Sequence, residues 1–395
     1  MRNASGLLTA LLAVNFGAVF LSRNALGYLM PFAAAELQLS NAHVGLLSSG
    51  MALMWALSGF GLTTWIAPRL PAKAVLMGSG LLIATTNLTS ALAASFLVLF
   101  ASRMAYGLFA GPVMPITQSL MASAAPPRHR GLQMSMVQSA ASNLISAMLG
   151  PAALVPIAVV LGWRTALLCD ALFMLCASTL VWRFLRVPRV APAVERSGTP
   201  HAVLRGLLAT PNVRRCSLIS IAMVGWLITG VTFYPLYLIR VAHTSSAQMG
   251  LLMVAVGVGG LCGSLLLPYL SDRWGRRAAL VLGGLLGLLG PLMLYHPSSS
   301  PLAMGVALVA SALAGGTFPL FMATIPAESL PPSHAPAGIG LVQGLGESLG
   351  GVATPYLAGM LADRFGLQAV LVVMAGCALL AMAAAAGLTE TAPNA

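Results

Sequence analysis

A guanidinium inside an apolar run is the first feature of this sequence that could do chemistry. Arg23 stands in "FLSRNALGYL", within a stretch from Leu7 to Phe32 that is long enough to cross a bilayer. Arginine stays charged in essentially any environment and presents five donors in a planar fork that matches a carboxylate. A cation at that depth is costly, and such residues usually mark the route of a ligand or ion. Arg23 is therefore expected to hold a carboxylate in a wet central cavity; the competing reading is a structural arginine bonded to backbone carbonyls or to a protein acid. Glu347 is the second candidate, near the middle of the run containing "VQGLGESLGG". Apolar surroundings favour a neutral carboxyl, and a nearby arginine favours the ionised one. Alternating exposure would switch Glu347 between the two, which is the physics of a proton-coupling site. Its competing reading is a structural ion pair with Arg23 or another cation.

Weaker candidates surround these two. Gln343 lies one turn before Glu347 and points the same way. Gln138 is its counterpart in the other half of the chain, so the two can offer paired polar groups to a ligand or hydrogen-bond between helices. Asn24 and Tyr28 follow Arg23. Pro235 should kink its helix and turn Tyr234 and Tyr237 toward a cavity, although aromatics in membrane helices mostly pack or form interfacial belts. Arg103 lies about two turns into a later run, where an outer-gate role and anion contact are equally open. Arg164 is expected to cap or anchor a helix end. The six histidines sit in loops or at run ends, and no pair among the five cysteines has metal-ligand spacing with histidine, so neither a metal nor a cofactor is expected.

These residues must be positioned by helices in a membrane. The 395 residues are 58% hydrophobic and 7% charged, against about 25% charged in a soluble domain. Apolar runs recur at roughly 7–32, 43–66, 74–94, 95–121, 132–159, 164–185, 216–240, 247–268, 279–296, 302–325, 337–361 and 367–387, which predicts twelve transmembrane helices and an all-α membrane protein. The polar stretch from Arg186 to Arg215 divides them into two sixes, giving halves at 1–185 and 216–395 with a cytoplasmic linker at 186–215. The net charge of +12 suggests nucleic acid at first, but the basic residues lie in short loops and read as topology signals. With the N-terminus inside, fifteen Lys and Arg fall in inner loops and three in outer loops, so both termini are expected to be cytoplasmic.

The halves repeat. An offset of 205 residues aligns "AHVGLL" (Ala42–Leu47) with "AQMGLL" (Ala247–Leu252), "PPRH" with "PPSH", and Val137–Gln138 with Val342–Gln343. Parallel six-helix repeats are an architecture of secondary transporters, with the substrate near mid-membrane between them.

The loop "LPYLSDRWGRRAAL" resembles the cytoplasmic motif of the major facilitator superfamily, with Asp272, Arg273, Gly275, Arg276 and Arg277 matching and the leading glycine displaced. The resemblance implies two pseudo-symmetric six-helix halves and an inner latch in which Asp272 faces a helix N-terminus across the halves. The first-half copy, "IAPRLPAKAV", has Ala67 and Leu70 where Asp272 and Gly275 align. A narrower likeness covers the first half. "SRNALGYLMPFAAAELQLS" with "VGLLSSGMALMWAL" is similar to the opening of the anion:cation symporter family, which implies Arg23 as the anion-binding arginine and an aromatic role for Trp55. "RMAYGLFAGPVMP" fits the fourth-span pattern led by Arg103. Two family acids are absent, replaced by Ser22 and Ala110. The resemblance to the major facilitator superfamily implies that the sixth span is peripheral, and Asp170 in it is expected to be solvated or capping.

The expectation is a monomeric secondary transporter in the cytoplasmic (inner) membrane. It would carry a small organic anion by alternating access, with proton-coupled symport through Arg23 and Glu347. The alternative is proton-driven efflux of a drug or metabolite. A membrane enzyme would need clustered acids, histidines or a nucleophile with its base at one depth, and the sequence has no such cluster. Neither nucleic acid nor an appended signalling domain is implied; the partners are the anion, a coupling proton or other ion, and lipid.

Overall fold

The computed structural model describes residues 2–66, 69–124, 137, 140–185, 200–296, 300–331 and 334–392. Among these the regular structure is helical. The first-half spans are α1 (Arg2–Glu36), α2 (Asn41–Leu57, carried on by Ser58–Leu62 and Thr63–Ile66), α3 (Ala72–Ala91), α4 (Phe96–Ala110 and Val113–Ala124), α5 (Ser142–Leu149 and Gly150–Leu161) and α6 (Trp163–Phe184). The second-half spans are α7 (Pro211–Arg240), α8 (Ser246–Trp274), α9 (Arg276–Tyr295), α10 (Pro301–Ala312, ending at Ile325–Glu328), α11 (Ala335–Leu345, Gly346–Gly350 and Gly351–Phe365) and α12 (Gln368–Ala386). Ten of them are long and apolar enough to cross a membrane. The other two are α2 and α11; each contains a π turn, at Ser58–Leu62 and at Gly346–Gly350, as α5 does at Ser142–Leu149 and α10 at Leu320–Thr324. The chain is thus a multi-pass membrane protein of twelve helical spans among the described residues. Much of the linker between the halves, and Gln138, lie outside the described residues.

Local chemistry starts and stops these helices. Ser40 caps α2 by accepting the His43 N–H, and Ser245 caps α8 in a reciprocal box with Gln248. Those two caps stand 205 residues apart, so the sequence repeat carries its helix start with it. The α8–α9 turn is made at Gly275, whose φ of 93° suits glycine and almost nothing else.

The halves meet through crossings that the repeat exchanges: α2 lies against α11, and α8 against α5. Gly45 and Gly250, again 205 apart, make these approaches possible. A Cβ on Gly45 would run into the Pro355 carbonyl, and one on Gly250 would meet Val155. At the end of the molecule away from the termini the α2–α11 crossing is locked by charge. The Asp363 carboxylate accepts the backbone N–H groups of Asn41 and Ala42 at 2.7 and 2.9 Å, so an acid of the second half caps a helix of the first.

Candidate functional site

The crossings leave a cavity of about 390 Å³ between the halves at mid-depth. Arg23 on α1 forms part of its wall and is only 9% exposed. Its Nη2 donates to Glu347 Oε2 at 2.9 Å, an ion pair bridging residues 324 apart in sequence and the two halves in space. The Trp55 ring lies 4.6 Å from the guanidinium carbon and the Phe20 ring 5.6 Å. Arg23 is therefore held between an aromatic shelf and a carboxylate, both of which stabilise a cation. Glu347 sits in the π turn of α11. The glycines on either side let that turn approach α7 closely: a Cβ on Gly350 would strike the Ile221 carbonyl. Single π turns inside α-helices are frequent at functional positions.

Trp55 takes a place the sequence did not indicate. It is buried behind Arg23, and the cavity wall is formed by other residues; it supports the cation and does not face a guest. Tyr237 also departs from expectation. It is 1% exposed, its hydroxyl donates to the Leu294 carbonyl, and it packs inside the second half away from the cavity. Proline-induced bending does not turn two residues three apart equally far inward, and only Tyr234 reaches the wall. Asn24, Tyr28, Gln343 and Glu347 also line the cavity. Asn24 Nδ2 is engaged by Ser146 Oγ at 3.0 Å, within the first half. A Ser48–Thr232 hydroxyl pair at 2.8 Å links the halves beside it.

Arg103 touches the cavity, yet its donors are directed at the α1 backbone and at the Met51 sulfur of α2. Nη1 reaches the Ser22 carbonyl at 3.3 Å and Nη2 the Arg23 carbonyl at 2.8 Å. It thereby fixes the backbone that carries Arg23. Behind it lies a surprise: Asp170, expected near solvent, is 1% exposed. Its Oδ2 accepts from Asn87 Nδ2 at 2.7 Å, and the same nitrogen reaches Ser22 Oγ at 2.9 Å. Sequence reasoning missed this group because α6 was taken as peripheral, whereas α6 packs on α1 and α3 along its length. Arg164 pairs with Glu36 and donates to the Ala93 carbonyl, tying three helix ends together.

The start of the fifth span, at 132–136, where a first-half partner for the superfamily-type loop would lie, is outside the described residues. Among the described residues Asp272 pairs with Arg276 one turn on, and Arg276 also reaches Glu328 at 2.9 Å. The helix N-terminus beside the loop, that of α9, is capped by Glu390, which accepts the N–H groups of Arg276 and Arg277 at 2.8 and 3.1 Å. All of these partners belong to the second half, so this network ties the chain's C-terminal tail to α9 and α10.

A family model described as the Major Facilitator Superfamily matches residues 12–240 and again residues 215–395. The chain belongs to this superfamily. It is a family of transporters, not enzymes, and the double match follows the two repeats. A gentisate transporter of Corynebacterium glutamicum is 25% identical over 366 residues, 88% of this chain and 79% of its own length. A chloramphenicol efflux pump of Mycobacterium tuberculosis is 26% identical over 264 residues, 65% of this chain; the match spans 60% of the pump's length. Among solved structures, a bacterial homolog of the human lysosomal transporter Spinster, in an inward-facing and unoccupied conformation, superposes with a TM-score of 0.75 over 98% of this chain and 95% of its own. At 17% identity that likeness is one of fold.

Proposed function

We propose that this superfamily member carries a small organic anion across the cytoplasmic membrane by alternating access, in symport with a proton. The observation that carries the reading is the Arg23–Glu347 pair in the cavity wall. A carboxylate guest and Glu347 are chemically equivalent partners for one guanidinium. A guest that takes Arg23 displaces Glu347, which is left facing the cavity as a charge without its partner. Taking up a proton removes that charge, so binding of the anion and of the proton become linked. The name of the gentisate transporter supports an aromatic acid as the class of cargo.

In this reading the halves at 1–185 and 216–395 rock about the central site and the segment at 186–215 joins them. Both termini face the cytoplasm, in line with the distribution of basic loops, and the chain acts as a monomer. The end sealed by Asp363 is then the outer one. The motif residues Asp272, Arg273, Gly275, Arg276 and Arg277 brace the inner face of the second half.

The test is uptake of gentisate into proteoliposomes under an imposed inside-alkaline pH gradient. Accumulation above equilibrium, lost in Arg23→Ala, is the expected result; wild-type rates in Arg23→Ala would overturn the assignment. The relative named as a chloramphenicol pump supports a second reading, drug efflux. Chloramphenicol resistance on overexpression that survives Arg23→Ala but not Glu347→Gln would select it instead.

A further inference from the structure

Asp170 has no part in the binding step just described, yet it is the most deeply buried acid of the first half. The carboxyl is 1% exposed, receives a hydrogen bond from Asn87 at 2.7 Å, and its other oxygen, Oδ1, has no hydrogen-bond partner. An ionised carboxylate can accept about four hydrogen bonds, so this one is sparsely served. The charged groups around it are few. Arg103 and Tyr106 on α4 act on it electrostatically. From α1 comes Ser22, with Arg23 next in sequence; from α3 comes Asn87, whose helix has its only charge, Lys73, about four turns away. The α5 spans Ser142–Leu149 and Gly150–Leu161 contain no charged residue. Arg103 itself makes its hydrogen bonds to the Ser22 and Arg23 carbonyls and to the Met51 sulfur, not to Asp170.

Charge balance at this depth leaves two acids able to take a proton. Arg23 and Arg103 supply two positive charges, and ionised Glu347 and Asp170 supply two negative ones. A bound carboxylate adds a third negative charge, and restoring neutrality requires one proton on one of the two acids. Glu347 can take it only from the cavity face; Asp170 offers a site behind Arg103, on the frame that holds Arg23 in place.

We propose that Asp170 is a second exchangeable proton site, which loads and releases a proton behind Arg103 and so tunes the grip of Arg103 on the α1 backbone at Ser22 and Arg23. The step is a simple transfer: the carboxylate oxygen gains a proton from water, and returns it to water, when the packing of α6 on α1 and α3 opens. Protonated, Asp170 no longer draws on Arg103, which stays on the two carbonyls; ionised, it competes for that guanidinium. The consequence for transport rests on the anion-carrier reading, but the site itself does not.

Infrared spectroscopy of the full chain in liposomes tests it without any cargo. Spectra are recorded between about pH 5 and 9, the range in which buried carboxyls titrate, in a Glu347→Gln background. A protonated-carboxyl band that grows as pH falls is expected, lost when Asp170→Asn is added. It should return when Ser22→Asp is added to both, because Asn87 Nδ2 already touches position 22 and can serve a carboxylate there. The chain has three aspartates, Asp170, Asp272 and Asp363. Aspartate labelled with carboxyl carbon-13 should therefore shift the band in a chain carrying Asp272→Asn and Asp363→Asn, a check that leaves Asp170 intact. No titrating band, one insensitive to the label, or one unchanged by Asp170→Asn would each overturn the proposal. Failure of gentisate to accumulate in proteoliposomes would strike the transport reading and leave this result standing.

Discussion

Replacing Glu347 with glutamine should make the anion bind more tightly. Glutamine keeps the shape and removes the charge that competes for Arg23. The size of the effect follows from the pair's setting. Exposed ion pairs contribute about 0–1 kcal/mol, and truncating one partner of a fully buried pair costs about 3–5 kcal/mol. Here the two side chains are 8% and 23% exposed, a single 2.9 Å contact joins them, and the Trp55 ring continues to stabilise the cation. An intermediate value of about 2 kcal/mol is appropriate, and relief from it corresponds to roughly thirtyfold in Kd. In the symport reading the wild-type affinity should also rise as pH falls, by about tenfold per pH unit for one proton taken up with the anion. In Glu347→Gln the slope should fall by that one proton. Titration calorimetry of the purified protein with gentisate measures both quantities, with Arg23→Ala as the non-binding control. Weaker binding in Glu347→Gln, or an unchanged pH slope, would refute the idea that guest and glutamate share one guanidinium.

Other perturbations separate parts of the molecule. Asp363→Asn removes the charge from the cap on α2 and should shift the population away from the sealed state by about 1–2 kcal/mol, roughly five- to thirtyfold; spin-label distances between the loops flanking Asn41 and Gly366 would lengthen, and unchanged distances would show the cap to be incidental. Gly45→Val drives a side chain into the Pro355 carbonyl and should hold that end apart, seen as label accessibility at Asn41 without loss of folded protein. Tyr237→Phe should lower thermal stability by about 1 kcal/mol and leave gentisate affinity alone, since its hydroxyl serves only Leu294. Burial pushes the Glu390 carboxyl up, but the N–H groups of Arg276, Ala392, Arg277 and Thr391 together pull harder, holding it below the ordinary glutamate range. A depressed value means that the tail contact stabilises the protein at neutral pH and is lost as pH falls through the folded-state value. Melting curves of wild type and Glu390→Gln should therefore differ at neutral pH and converge in acid.

The residues that were legible in the sequence are those whose type conflicts with their surroundings. Arg23 and Glu347 announce themselves because charge is rare in apolar helices, and the repeat offset paired the second and eighth spans, whose caps at Ser40 and Ser245 only the structure shows. The pairing of Arg23 with Glu347 stood only as one of two alternatives, because 324 residues of chain hide which helices cross. Asp170 was misjudged for a related reason. Its sequence neighbours in "LLCDALF" are apolar, and the groups that serve it, Asn87 and Ser22, come from other helices. Trp55 and Tyr237 lie on the expected helices but not in the cavity lining: Trp55 is behind the Arg23 side chain, and Tyr237 is turned to the Leu294 carbonyl, contacts between helices that composition does not encode. The inward or sideways direction of Asp272 was equally unreadable: the same acid-arginine spacing serves a latch between halves or a brace within one.

The indole beneath Arg23 has a consequence of its own. Tryptophan emission responds to the electric field across the ring, and here the nearby charge is a guanidinium whose partner, in the proposed anion-carrier reading, changes on binding. Exchange of a tethered glutamate for a freely diffusing guest alters that field without moving the ring. On that reading, a chain that keeps Trp55 and carries Phe at its other five tryptophan positions would report occupancy at its centre with no label attached.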